Sequence, residues 1–178
     1  NAATPIVENQ TIIYTGSSRG TTAVRLEKQG DAFAAKPLWQ NADISVQFST
    51  PVLKDGFLYG LTANNDLFCL NAADGKTAWT TPVTPTQAAN EPPTGGPGGG
   101  GGRRGGRGGG FGSIVDAGTV LLALTPASQL IAFQPTDKAY TELARIKVAD
   151  TPTHAYPVLS GNRIFTKDQD SVTLWTVE

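Results

Sequence analysis

The stretch Ser49 to Thr80, STPVLKDGFLYGLTANNDLFCLNAADGKTAWT, constrains the fold more than any other part of the chain. It holds four short apolar runs separated by polar turns. Thr50-Pro51-Val52-Leu53 opens it, with proline near the start of a strand, where its missing N–H is tolerated. Asp55-Gly56 follows, a hairpin signal because glycine accepts positive φ without steric cost. Phe57-Leu58-Tyr59-Gly60-Leu61 and Leu67-Phe68-Cys69-Leu70 are apolar on both faces, and Thr77-Ala78-Trp79-Thr80 closes the unit. Strands of that kind need cover on both sides. No helix is in evidence to supply it, so sheets must stack on sheets. A repeated four-stranded sheet of this length, stacked about an axis, is a propeller blade.

Weaker copies flank the unit. Upstream, Thr4-Pro5-Ile6-Val7 matches the first strand, Thr11 to Gly16 the second, Thr22 to Leu26 the third, and Lys36-Pro37-Leu38-Trp39 the last. From Pro5 to Pro51 is 46 positions and from Trp39 to Trp79 is 40, a blade-sized period. The extra length is expected in a turn from Glu27 to Ala35, where insertion is cheap. Downstream, Ser113 to Ala149 reads as a degenerate copy. Lys138 to Lys147 stands where its last strand is expected, with Ala144 near the tryptophan position. Tyr140, Leu143, Ala144 and Ile146 nearly share a helical face, but repeat register favours a strand. His154 to Glu178 supplies three strands of a further copy.

Thr81 to Gly112 interrupts the pattern. Several prolines precede a glycine tract carrying Arg103, Arg104 and Arg107. Such a segment cannot bury enough apolar surface to offset its ordering entropy. It reads as a solvated insertion between blades, with an RNA-binding Arg-Gly segment as the sharper alternative. Three arginines and a chain net charge of −1 argue against nucleic acid as a partner. The expected division is blade 1–48, blade 49–81, insertion 82–112, blade 113–150 and incomplete last blade 151–178.

The residues also resemble a known family. Pro51-Val52, Asp55-Gly56, Phe57-Leu58-Tyr59-Gly60 and Leu70-Asn71-Ala72-Ala73-Asp74-Gly75-Lys76-Thr77-Ala78-Trp79 are similar to the pyrroloquinoline-quinone-like (PQQ-like) β-propeller repeat. Its pattern is roughly S-P-V, D-G, V-Y-V-G and L-D-A-x-T-G-K-x-x-W, and Asp74 stands where threonine is usual. The resemblance implies an all-β propeller of four-stranded antiparallel blades. About four blades are present, the C-terminal half of a seven- or eight-bladed ring. It also implies that the tryptophan of Gly-Lys-x-x-Trp docks between blades, which singles out Trp39, Trp79, Gly75 and Lys76 as structural docking residues.

Chemistry is harder to place. The quinone dehydrogenases of the resembled family need acidic metal ligands, an aspartate base, an arginine and usually adjacent cysteines. None of these motifs can be laid on this chain. Cys69 stands alone and reads as a small buried apolar side chain. Asn64, Asn65 and Asp66 are better turn formers than calcium ligands. His154, the single histidine, has no partner nearby in sequence. Asp55, Asp74 and Asp116 sit in turns. No catalytic residue, metal or cofactor is therefore expected.

The sequence contains no methionine, so a processed, cut or partial product is expected. No apolar run is long enough to cross a bilayer. The resemblance implies a bacterial envelope setting: periplasmic, outer-membrane-associated or secreted. The expected function is a non-catalytic protein-interaction or scaffold module, partnered by another protein or by further blades. The alternative is the C-terminal half of a quinone-dependent alcohol or sugar dehydrogenase, its site in the other half.

Overall fold

The computed structural model describes residues 3–83 and 111–177. Its strands fall into four meandering antiparallel sheets. The first runs β1 (Ile6–Glu8), β2 (Thr11–Gly16), β3 (Gly20–Gln29) and β4 (Ala32–Asn41). The second is β5 (Val52–Lys54), β6 (Phe57–Leu61), β7 (Asp66–Asn71) and β8 (Thr77–Pro82). The third is β9 (Ser113–Asp116), β10 (Leu121–Leu124), β11 (Gln129–Phe133) and β12 (Glu142–Lys147). The fourth is β13 (Val158–Ser160), β14 (Arg163–Lys167) and β15 (Val172–Thr176). In each sheet neighbouring strands are consecutive in the chain. No helix occurs among the described residues.

Local chemistry sets the turns. Asp55 (φ 50°) and Gly56 (φ 81°) both lie in the left-handed region, as a two-residue hairpin with matching twist requires. The turn between second and third strands repeats atom for atom. Thr62 N donates to Asp66 O and Asn65 N to Thr62 O; Thr125 N donates to Gln129 O and Ser128 N to Thr125 O. Asn64, Asn65 and Asp66 thus form a turn, with Asn65 at φ 66°.

Two boundaries differ from the sequence reading. Residues 27–35 are not a loop: β3 and β4 continue pairing through Lys28↔Phe33 and Gln29↔Ala32, so the extra residues lengthen a hairpin. Alternating side chains and a tight turn at Gly30 (φ 63°) make pairing better than an open loop. The last strand of the third sheet is only Glu142–Lys147, because residues 134–141 form the approach to it. It is a strand, not a helix. The expected insertion, 82–112, lies from 84 to 110 outside the described residues.

The core occupies three seams between successive sheets. Ile13, Ala23, Leu58, Phe68 and Leu70 fill the first, with Ile44 and Val46 from the connection. Tyr59, Leu67, Cys69, Leu121, Ile131 and Phe133 belong to the second. Leu122, Leu124, Leu130 and Ile164 form the third. Strands such as β7 and β10 are buried on both faces because each face meets a different seam. The segments leading into the first strands converge: Thr4 N donates to Thr50 Oγ1 (2.8 Å), and Thr50 N to the Tyr156 hydroxyl (2.6 Å). The entries of sheets one, two and four meet in this way, as blades fanning about an axis must.

Candidate interaction site

Each seam is built from the same register. Just ahead of a β-bulge, a residue of the fourth strand sits opposite one of the third: Trp39↔Ala23 in the first sheet and Trp79↔Cys69 in the second. The bulge bends the fourth strand and re-aims its side chain. Both indoles point into the seam with the following sheet. Trp39 Nε1 donates to the Ala72 carbonyl (3.0 Å), and Trp79 Nε1 to that of Thr136 (2.8 Å). A half-buried indole needs such a partner for its N–H. Around Trp79 stand Tyr59, Phe133 and Tyr140, with ring centroids 5.7–6.3 Å away.

Gly75 lies under the Trp39 ring. Its φ is +72°, and a Cβ there would meet Trp39 Cε3 at 2.4 Å. Asn41 Nδ2 donates to the Gly75 carbonyl (2.8 Å), a second tie across the same seam. Lys76 sits differently. Its side chain is 83 % exposed and pairs with Asp74 at 2.9 Å. The pairing holds the Asp74 carboxyl below its usual range, chiefly through the hydrogen bond from Lys76.

Cys69 is fully buried. Burial pushes its thiol pKa up to about 11 and raises the Tyr59 phenol beside it, so both stay protonated near neutrality. Such a thiol is a poor nucleophile. Another cross-sheet tie is Arg145, whose Nη1 donates to Val83 O and Gln129 Oε1 (both 2.7 Å). Its Nε and Nη2 fork onto Glu142 at 2.9 and 2.7 Å. That fork holds the Glu142 carboxyl below its ordinary range.

At the converging entries, side chains distant in sequence meet. Phe48 and Phe111 rings lie 3.8 Å apart between centroids, and Phe111 is 5.7 Å from His154. Both phenylalanines and Tyr156 remain about two-fifths exposed. Phe48, Phe111 and Tyr156 carry no local motif, and Phe111 adjoins the glycine tract, so sequence reasoning passed over them. Asp116 receives Lys54 Nζ at 2.9–3.0 Å, joining hairpins of the second and third sheets.

Repeated four-stranded meanders joined by tryptophan-bearing seams define a β-propeller repeat protein. Residues 1–81 match the family model described as Outer membrane protein assembly factor BamB. Among solved structures, the crystal structure of BamB from Moraxella catarrhalis aligns at TM-score 0.60 and 12 % identity, covering 98 % of this chain and 43 % of that one. The computationally designed Ika8 protein aligns at TM-score 0.52 and 7 % identity, covering 98 % and 57 % respectively. These findings support a PQQ-like repeat protein with the propeller fold. The chain spans about half the length of the solved structures it matches. No curated protein sequence matches it. No helix among the described residues is long and apolar enough to cross a membrane.

Proposed function

We propose that this chain is a non-catalytic protein-interaction module, of the scaffold or assembly type, working in the bacterial cell envelope or secreted. Trp39, Trp79 and Gly75 serve it as blade-docking residues that keep the sheets rigid. The reading is supported by the match of residues 1–81 to a family described as an outer membrane assembly factor.

One structural observation carries it. On the first sheet, the face away from the second presents Val7, Ile12, Val24 and Pro37 as one cross-strand row. The row continues through Leu26 onto the ribbon formed by the ends of β3 and β4, past the last residue of β2 paired to β3. Phe33, on that ribbon, is 72 % exposed. Scattered exposed apolar residues are ordinary, but a contiguous stripe running onto a projecting hairpin is a surface for another protein.

The test is a photo-crosslinking side chain placed at position 33, in the protein expressed in a bacterial envelope. A discrete adduct that disappears when Leu26 is changed to Ser, in a variant melting like the parent, supports the proposal. Absence of any adduct contradicts it. Dye-linked alcohol oxidation after incubation with the quinone and calcium would contradict the non-catalytic part and favour the dehydrogenase reading.

A further inference from the structure

In two of the three seams the preceding sheet's fourth strand contributes an indole, Trp39 and Trp79. In the third it does not, and the indole there, Trp175, comes from the following sheet. The register places Ala144 opposite Ala132, just ahead of the bulge at Ala132/Phe133. Trp39 and Trp79 occupy that position in the first and second sheets, ahead of the bulges at Ala23/Val24 and Cys69/Leu70. At Ala144 a methyl group replaces the ring. The space remains as a solvent-facing groove of about 470 Å³ between the third and fourth sheets.

Its walls are mainly apolar, Leu122, Ala132 and Ile146 on one side and Leu159 and Ile164 on the other, with Thr119 and Asn162 also in the lining. Val177 stands at its end. In the first seam the indole N–H meets the carbonyl of Ala72, the residue just after β7, whose own N–H bonds Gly56 O. Val177 is the counterpart in the fourth sheet. It follows β15 after Thr176, and its N–H bonds Asn162 O. Its carbonyl accepts Asn162 Nδ2 at 3.2 Å, which leaves the second lone pair of an sp² oxygen. Trp175, also at this seam, directs its N–H to Thr166 Oγ1 (3.0 Å).

We propose that this seam is a binding site for a small planar aromatic molecule with one ring N–H, of the indole class. The ring lies between Ala132 and Ala144 on one wall and Leu159 and Ile164 on the other. Its N–H donates to the Val177 carbonyl. The volume falls in the range of small-molecule sites, about 300–1,000 Å³. The groove opens to solvent along Ala144, Ile146 and Val177, so an aromatic guest can enter and cover its apolar floor. Space beyond a bicyclic ring admits a substituted indole.

Calorimetric titration of the full chain with indole, and with benzofuran as the isostere lacking the N–H, tests the site. Saturable indole binding is expected, with benzofuran roughly 2- to 10-fold weaker. Ala144→Trp supplies the missing ring from the protein itself. It is expected to abolish indole binding and raise Tm by roughly 2–8 °C. Ala144→Leu, a smaller plug, keeps the test alive if the tryptophan variant does not fold, and should weaken indole binding at least several-fold. No saturable binding by the parent chain, or undiminished binding by the folded Ala144 variants, overturns the site. Equal affinity for indole and benzofuran overturns the role given to Val177.

Discussion

At the residue scale, the seam tryptophans and the glycine beneath one of them bear on stability in different ways. Truncating Trp79 to Ala removes a large ring from among Tyr59, Phe133 and Tyr140 and leaves the Thr136 carbonyl unpaired. The expected loss is about 3–5 kcal/mol, read as a lower urea midpoint with little change in slope. Gly75→Ala keeps both tryptophans but forces a Cβ against the Trp39 ring in a left-handed backbone, so the ring or the turn must shift. Its expected loss is about 1–3 kcal/mol. A Trp79→Ala midpoint equal to the parent's would remove the docking role. These positions were legible because tryptophan and Gly-Lys carry their own signal. Ala144 was legible only as a register position, since an alanine announces neither a wedge nor the groove left by one.

At the element scale, the sequence located most strands and misjudged what lies between them. The hairpin signal at Asp55-Gly56 acts through local backbone preference, so it can be read directly. The β3–β4 ribbon could not, because continued pairing depends on cross-strand partners that composition alone does not rank. Strand β12 was read correctly in kind from the repeat register, against a helical pattern. Propensity yields there to pairing with β11. That strand also carries a pH dependence. Glu142 has a lowered folded-state pKa from the Arg145 fork, with a further hydrogen bond from the Tyr140 hydroxyl at 2.7 Å. A lowered carboxyl pKa contributes stability that is present above the unfolded value and lost as pH falls through the folded one. Glu142→Gln is therefore expected to cost up to about 1 kcal/mol at neutral pH. The gap from the parent should close on acidification through and below the ordinary carboxylate range. Urea midpoints at pH 7 and pH 3 measure it. A gap of the same size at both would assign the effect to packing.

At the scale of the whole molecule, every interior seam joins two apolar sheet faces, and both outer faces of the stack are apolar as well. On the fourth sheet, Leu159, Ile164 and Trp175 form the cross-strand row turned toward the third sheet. Val158, Phe165 and Leu174 form the row on the opposite face. Val158 is 60 % exposed and Leu174 49 %, and β15 has one edge without a strand partner among the described residues. An exposed apolar face beside an open strand edge is a template for association. The outer face of the first sheet, with Val7 66 % exposed, is a second such surface. Because the two faces differ, contact between them is head to tail and repeats until it closes or runs on. The 178-residue chain on its own is accordingly expected to self-associate in the micromolar range, as seen by sedimentation velocity over a concentration series. Leu174→Lys places a charge in the row on the fourth sheet, on the strand with the open edge and without touching a seam, and should shift the population toward monomer with Tm unchanged. A monomeric parent at every concentration would mean that these faces are too small or too twisted to pair. An unaltered distribution for the variant would move the association to the first sheet and its projecting ribbon.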